Sequence, residues 1–382
     1  MKIALLTDVI YPFTIGGSEM RNYEIAKRLV RKGHEVHILG AKMWKGRNKI
    51  NMDGIAIVGL SEYERLYDPS GKRSALDPLK LSFRTFRTLL KGDYDIVDNL
   101  SFVFFNCYAS KLASLIKRNK LVFTWQQYFG SYLIDYFGYF KGLIAMFLER
   151  ISVNLTKNNV VVSNHVRKEL EDKGVSKRNI ELIYNGVDSK LAGKIDKLKK
   201  KYDLVFVGRL NYQKNPQLFI QIVNEVKKKI PNVRAVVVGD GSERRSMKSL
   251  ISKFHLERNI RLVGNVKDRR KVFSLVKSSR IFVLPSRLEG FPLTLIEANA
   301  LGVPVLTTKT KWNDVEDYLN KGGISGFALE SSLDELVKGA LKLLRDKQVY
   351  ERMSINGIKK ARNYDWDNIA EQTESYYLSL IN

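Results

Sequence analysis

The stretch RIFVLPSRLEGFPLTLIEANALGVPVLTT, Arg280 to Thr308, decides the fold. Ile281 to Leu284 is a short apolar run of β type and Pro285 to Phe291 a loop. A helical pattern then starts at about Pro292 to Thr294, and extended chain resumes at Val303. Strand, loop, helix and strand in that order make one unit of a parallel sheet. Pro292 suits a first helical turn, where its missing amide hydrogen costs nothing, and Gly302 followed by Pro304 closes the helix. Glu289 sits in the loop beyond the carboxyl end of the strand, and Glu297 sits about one turn inside the helix. Open α/β sheets bind ligands in that crevice, and a helix start offers amides and a positive dipole end to an anion. A carboxylate on each side of such a site can accept hydrogen bonds from sugar hydroxyls. The alternative is a pair of ordinary solvated glutamates.

The same alternation extends in both directions. Upstream, a strand over Asp203 to Val207 leads into Gly208-Arg209-Leu210-Asn211-Tyr212-Gln213-Lys214-Asn215 before a helix at Pro216. Arg209 and Lys214, just past a strand end, can converge on phosphate oxygens, the one as a planar fork and the other as a mobile point charge. Strands over Arg234 to Gly239 and Ile260 to Val263 and helices over Ser242 to Phe254 and Asp268 to Ser278 complete the approach to the opening stretch. Downstream, Gly326 to Leu329 reads as a strand, two helices run from Leu333 to about Asn363, and a last helix covers Asp365 to Leu380.

The N-terminal half repeats the pattern. Strand Lys2 to Val9 and a loop with Gly16-Gly17 precede an amphipathic helix over Ser18 to Lys32, for which Ser18 is the expected N-cap, and strand Glu35 to Leu39 follows. Two glycines between a first strand and a helix let backbone amides approach a bound group. After a strand at Ile55 to Leu60 and a polar insert, Asp77 and Pro78 announce a helix. Lys80, Arg84, Arg87 and Lys91 fall on one face of it, and Leu79, Phe83, Phe86 and Leu90 on the other. That helix either lies on an anionic membrane surface or shows a solvated basic face while packing on the core. Strand Ile96 to Asn99, helix Phe104 to Lys117 and strand Leu121 to Trp125 continue. Tyr128, Phe129, Tyr132, Tyr136, Phe137, Tyr139 and Phe140 then crowd ahead of the apolar Leu143 to Leu148. Rings with polar tips suit an interface, so this segment is either an acceptor-side element that dips into a membrane or ordinary core. After strand Val160 to Ser163, a helix over His165 to Lys173 and strand Ile180 to Tyr184, the lysine-rich run Lys194 to Lys201 reads as a linker, with a domain boundary near residue 190.

A chain of 382 residues holds two such domains. No stretch is apolar for the length of a bilayer crossing, and the first residues read as a strand and not as a signal peptide. The one cysteine, Cys107, fits a reducing compartment and a buried apolar position, which points to the cytoplasm. The net charge of +25 favours acidic partners: nucleic acid, an anionic membrane face or phosphorylated substrates. No zinc-ligand spacing, aromatic RNA-binding signature or helix-turn-helix pattern accompanies it, so nucleic acid is not expected.

Glu289-Gly290-Phe291-Pro292, Glu297-Ala298, Ala300 and Gly302-Val303-Pro304-Val305 together resemble the signature of the family 4 glycosyltransferases. The N-terminal Gly16-Gly17 with Glu19, the Gly33-His34-Glu35-Val36 run and the Asn185-Gly186-Val187-Asp188 tetrapeptide resemble the same family. The resemblance covers nearly the whole chain and is weakest over residues 45 to 95 and the aromatic insert. It implies a GT-B fold: two Rossmann-like domains facing each other across a cleft, residues 1–190 on the acceptor side and 191–364 on the donor side, with a terminal helix, 365–382, crossing back to the first. It implies a retaining transferase that moves a hexosyl unit from a nucleotide diphosphate sugar to a glycan or lipid-linked acceptor without a metal or other cofactor.

By the same resemblance, Glu289, Arg209 and Lys214 are the candidate catalytic residues. The two basic residues would clamp the diphosphate, and Glu289 would hold the sugar hydroxyls. Glu297 would bind the ribose diol, and Val266, in the turn Gly264-Asn265-Val266, would lie near the base. Gly16, Gly17, Gln126, Gly208 and the run Gly290, Phe291, Pro292, Leu293 and Thr294 complete the donor contacts. Leaving-group charge on the diphosphate would meet the cationic pair and the amides of Phe291 to Thr294.

Two departures stand out. Many members of the family it resembles carry His where this chain has Gln126, which can donate a hydrogen bond but cannot carry a proton or a positive charge. Lys309 to Asn313 replaces a Gly-rich turn. These departures motivate an alternative, a weak or inactive nucleotide-sugar-binding module acting as an assembly partner. The pairs Asp93/Asp95 and Asp365/Asp367 have the spacing used by metal-dependent transferases, but neither has the His or acidic company of a hard-cation site.

Overall fold

Alternating strands and helices build two separate sheets in this computed structural model, which describes residues 1–63, 76–100, 104–196, 198–312, 315–320 and 323–381. The polar insert over 64–75, Lys197 of the expected linker and Asn313 of the altered turn lie outside the described residues. The chain divides into two compact units, Met1–Asn185 with Trp366–Asn382, and Gly186–Asp365. The expected boundary near residue 190 falls a few residues inside the second unit.

In the first unit β1 (Lys2–Leu6), α1 (Gly17–Arg31), β2 (Glu35–Lys42), β3 (Lys49–Met52), β4 (Ile55–Glu62), α2 (Leu76–Lys91), β5 (Ile96–Leu100) and α3 (Phe104–Lys117) follow in order. Then come β6 (Lys120–Trp125), α4 (Tyr132–Phe137), α5 (Tyr139–Ser152), β7 (Asn159–Val161), α6 (Asn164–Asp172) and β8 (Ile180–Leu182). The strand order is β3-β4-β2-β1-β5-β6-β7-β8. Every pairing is parallel except β3 on β4. Strands buried on both faces read as unbroken apolar runs, which is why Ile3 to Leu6 and Leu121 to Trp125 carry no exposed position. On one face Ala4, Leu6, Leu39, Val97, Phe123 and Val161 share a core with side chains of α2 and α3 and with Val153, just past α5.

The second unit holds α7 (Ser189–Gly193), β9 (Tyr202–Val207), α8 (Pro216–Lys227), β10 (Ala235–Val238), α9 (Arg244–Lys253), β11 (Ile260–Gly264), α10 (Arg269–Lys277) and β12 (Ser279–Leu284). It continues with α11 (Leu293–Ala300), β13 (Val305–Lys309), α12 (Val315–Asn320), β14 (Gly326–Glu330), α13 (Leu333–Arg345) and α14 (Lys347–Arg362). Its strand order, β11-β10-β9-β12-β13-β14, is parallel throughout. The order reverses between β9 and β12, the position where a crevice opens at the carboxyl ends of the strands. The final helix, α15 (Trp366–Ile381), belongs to the first unit. There Arg28 donates to Asp367 over 2.6 Å, Glu374 pairs with His34 over 2.8 Å, and the Tyr377 hydroxyl donates to buried Asp98 over 2.5 Å.

Several local expectations are corrected. Gly16, in extended conformation, is the N-cap of α1 and Ser18 lies inside the helix; Met20 N donates to Gly16 O. Pro292 is likewise the N-cap of α11, with the first helical residue at Leu293. The helix of residues 78 to 91 begins already at Leu76 and buries Leu81, Thr85 and Leu89, leaving Leu79 and Phe83 exposed and Phe86 and Leu90 half-buried. Packing against α3 and β4 selects the i, i+4, i+8 ridge through Leu81, one residue row away from the apolar face read from the sequence. The short elements β3 and α12 had no expectation, because four half-exposed residues and a single six-residue turn carry little periodicity. The lysine-rich linker is anchored as well as solvated: Lys200 donates to the carbonyls of Lys277 and Ser279, and burial lowers its ammonium to about 8, helped by Arg280 and Lys277.

Candidate functional site

The loop after β9 and the loop after β12 meet where the strand order reverses. Two glycines of a neighbouring loop permit the first of them to seat. A Cβ on Gly239 would fall 1.9 Å from Gly208 O, and one on Gly241 would fall 2.4 Å from Leu210 O, so the two backbones pack with nothing between them. Gly208 N donates to Val238 O and Leu210 N to Asp240 O. Asn211 then accepts from Lys214 N through its side chain, and Asn215 turns left-handed at φ 48° so that Pro216 can open α8. This turn aims Lys214 at the second loop, where its Nζ donates to Glu289 Oε1 over 2.5 Å. Arg209, at the start of the loop, is exposed.

The second loop is fastened from both sides. Arg287 N donates to Gln213 O over 2.8 Å, and Gln213 Nε2 donates to Leu288 O. The Arg287 guanidinium lies 4.4 Å from the Tyr212 ring centroid and donates to Asn215 Oδ1. Thr308 donates to Ser286 O, and Thr310, in the altered turn, donates to Arg287 O. Strand β13 and the turn therefore each hold the Glu289 loop through one threonine hydroxyl. Gly290 leads to Phe291, which stacks on Tyr364 and meets Tyr318 edge-on. Beyond it Leu293 and Thr294 open α11, whose first-turn amides have no carbonyl within the helix to bond.

Glu297 follows on α11, and Arg269, the first residue of α10, donates to its Oε1 over 2.8 Å. Val266 is half-buried in the turn between β11 and α10, just after Gly264 at φ 84°. In the second unit, then, Lys214 and Glu289 are brought into direct contact, and Glu297 stands on the adjacent helix with its carboxylate oriented by an arginine.

The first unit supplies the other named residues. Gly16 and Gly17 form the start of α1; a Cβ on Gly16 would lie 2.1 Å from Glu19 Oε2. Gln126, one residue past β6, accepts from Asn185 Nδ2 over 3.1 Å, which leaves its own Nε2 as the donor. Asn185 is set in turn by Arg21, whose Nη1 donates to Asn185 Oδ1 and to Tyr184 O. Burial lowers Arg21 to about 10, with Asp98 and Tyr377 opposing the shift. The paired aspartates engage protein groups: Asp93 with Lys117, Asp95 with Lys2 N, Asp365 with Ser189 N and Asp367 with Arg28.

Sequence reading did not single out Arg269, Arg287 or Gly239 and Gly241. Arg269 is one of three consecutive basic residues at a helix start, and no local signal separates the one that reaches Glu297. The Gly239-Asp240-Gly241 run was visible, but its meaning depends on a loop thirty residues away.

The sequence profile of Glycosyl transferases group 1 matches residues 188–360, and that of Glycosyltransferase Family 4 matches residues 15–191. The chain belongs to glycosyltransferase family 4. This family 4 chain is 24% identical over 391 residues to the N-acetyl-alpha-D-glucosaminyl L-malate synthase of Bacillus anthracis, covering 97% of the chain and 96% of the relative. It is 30% identical over 256 residues to the UDP-Gal:alpha-D-GlcNAc-diphosphoundecaprenol alpha-1,3-galactosyltransferase of Escherichia coli, covering 63% of the chain and 64% of the relative. Among solved structures, Anabaena HepE in complex with UDP-glucose superimposes with a TM-score of 0.76 at 19% identity, over 99% of this chain and 100% of that one. The fold is GT-B, with two Rossmann-like domains. Relatives of the family 4 chain are named for the transfer or synthesis of glycosyl products, which does not favour the reading as an inactive binding module.

Proposed function

We propose that this family 4 glycosyltransferase transfers a hexosyl unit from a nucleoside diphosphate sugar to a lipid-linked or glycan acceptor, with retention of configuration and without a metal ion. The observation that carries the reading is the contact of Lys214 with Glu289 at the strand-order reversal of the second unit, with Glu297 on the next helix. The uridine-nucleotide donors and the polyprenyl diphosphate acceptor in the names of the similar proteins support it.

In this reading Lys214, Arg209 and the amides at the start of α11 receive the negative charge that grows on the diphosphate as the glycosidic bond loosens. Glu289 accepts from the sugar hydroxyls, Glu297 from the ribose diol, and Val266 borders the base. Gly208, Gly290, Phe291 and Pro292 shape the backbone of that pocket. Gly16, Gly17 and Gln126 are assigned to the donor by family likeness alone. In this reading cationic side chains take the place of a metal. Retention rests on the family resemblance. The chain works on the cytoplasmic side, peripheral to an anionic membrane; no helix among the described residues is long and apolar enough to cross one.

Calorimetric titration with uridine, guanosine and adenosine diphosphate sugars tests the reading. Saturable binding of one nucleotide class, weakened by Glu297→Ala, is expected. Undiminished binding in Glu297→Ala would remove the ribose role.

A further inference from the structure

We propose that the outer faces of α2, α3 and α5 form one membrane-docking surface that inserts apolar side chains into an anionic lipid interface; it deepens the proposed use of a lipid-linked acceptor and rests on that reading. The three helices are neighbours: α3 packs against both α2 and α5, with Ser82 donating to Asn106 and the Tyr108 hydroxyl to Leu148 O. Helices α2 and α3 cover the same face of the sheet, and Val153, just past the end of α5, joins their core. Their solvent sides carry most of the large apolar side chains exposed among the described residues.

The exposed apolar residues recur at helical spacing. On α5, Tyr139, Phe140, Leu143, Ile144 and Phe147 run along one stripe, with Phe140 81% exposed. On α3, Leu112, Leu115 and Ile116 form a second stripe, and on α2, Leu79 and Phe83 stand one turn apart. An amphipathic helix normally turns such a stripe to the core. Here the opposite faces of α2 and α3 fill the core, through Leu81 and Leu89, Cys107 and Ala113, and α5 turns the polar Glu149 and Ser152 inward. Exposed apolar side chains gathered on adjacent helices are the kind of surface that marks a protein or membrane interaction site.

Charge selects the occupant. From Pro78 onward α2 carries Lys80, Arg84, Arg87 and Lys91 and no acidic residue, and α3 carries Lys111 and Lys117 and none. The single acid of α5, Glu149, is buried, where it accepts from the amides of Phe129 and Gly130. The Arg87 guanidinium lies 5.8 Å from the Phe83 ring, so cation and ring face solvent together. A two-fold pairing of copies through this patch would set these cations against themselves. An anionic bilayer takes the rings at the headgroup boundary and the cations at the phosphates.

The test sediments the full chain with vesicles of phosphatidylcholine, alone or with a quarter phosphatidylglycerol. Wild type is expected on the anionic vesicles, about tenfold or more tightly than on neutral ones, with the preference fading in high salt. Phe140→Asp with Phe147→Asp, both at exposed positions, is expected to stay in the supernatant with an unchanged melting temperature. Lys80→Glu with Arg87→Glu is expected to lose the anionic preference. Wild type that ignores both vesicles, or an aspartate variant that binds like wild type, overturns the proposal. So does a wild-type dimer in light scattering that the aspartate variant dissolves, since a second copy would then be the occupant. Donor calorimetry on the same preparations separates the two readings: vesicle binding without donor binding supports the surface while removing the transferase assignment.

Discussion

The Nζ of Lys214 lies 2.5 Å from Oε1 of Glu289, although the two are 75 residues apart in the chain. The Glu289 side chain keeps only 5% of its exposure and that of Lys214 keeps 17%. An ion pair this far from water is held by mutual neutralisation, and losing one partner strands the other. A diphosphate would compete for the same ammonium, so donor binding and this pair are coupled.

Lys214→Ala is therefore expected to slow transfer about a hundredfold to a thousandfold, as removal of a preorganised charge-stabilising group does. Steady-state rates at saturating donor measure it. A wild-type rate in Lys214→Ala would detach the lysine from the leaving group.

Arg269 holds the Glu297 carboxylate at 2.8 Å. Arg269→Ala is expected to weaken donor binding by about tenfold with little change in maximal rate, since it acts through ground-state positioning. The double variant with Glu297→Ala should bind no worse than Glu297→Ala alone, because the two residues share one interaction. Additive losses in calorimetry would give Arg269 an independent contact.

Much of the second unit was legible because its strand, loop and helix signals are local: Pro216, Gly302 and the apolar runs around them mark the element ends. Glu289 and Lys214 were legible as candidates, but their contact depends on β9 lying beside β12, a neighbour relation no local pattern encodes. The face of α2 differs from expectation for a related reason. Its amphipathic pattern offers two apolar rows, and the packing of α3 and β4 chooses between them. The aromatic segment, readable from sequence as core or as interface, divides: Tyr128, Phe129 and Tyr132 are buried, whereas Tyr139 and Phe140 are exposed.

Glu149 predicts a pH dependence of stability. Burial pushes its carboxyl up to about 7 against the two amide hydrogen bonds that favour the anion. A carboxyl that titrates higher when folded stabilises most below its unfolded value near 4.5, and that contribution is lost as pH rises to about 7. The loss amounts to about 3 kcal/mol. Urea unfolding between about pH 4.5 and 8 should show the decline in wild type and a flatter profile in Glu149→Gln; parallel profiles would refute the assignment.

Tyr377 ties the last helix to the first unit through Asp98, which is buried and also accepts from Thr124. Burial raises the Asp98 carboxyl, opposed by the Tyr377 and Thr124 hydroxyls and by Arg21. Tyr377→Phe removes one donor from a buried acceptor and should cost about 1–3 kcal/mol in denaturant unfolding. A stability equal to wild type would mean the hydroxyl is not needed there.

The most direct test of the glycosyltransferase account is transfer of labelled sugar from a panel of uridine diphosphate sugars to a polyprenyl diphosphate sugar acceptor, measured in excess chelator with wild type and Glu289→Gln. The account predicts transfer from one donor by wild type, undiminished by the chelator and lost in Glu289→Gln. Transfer that stops with chelator and returns with manganese, or that survives in Glu289→Gln, would contradict it.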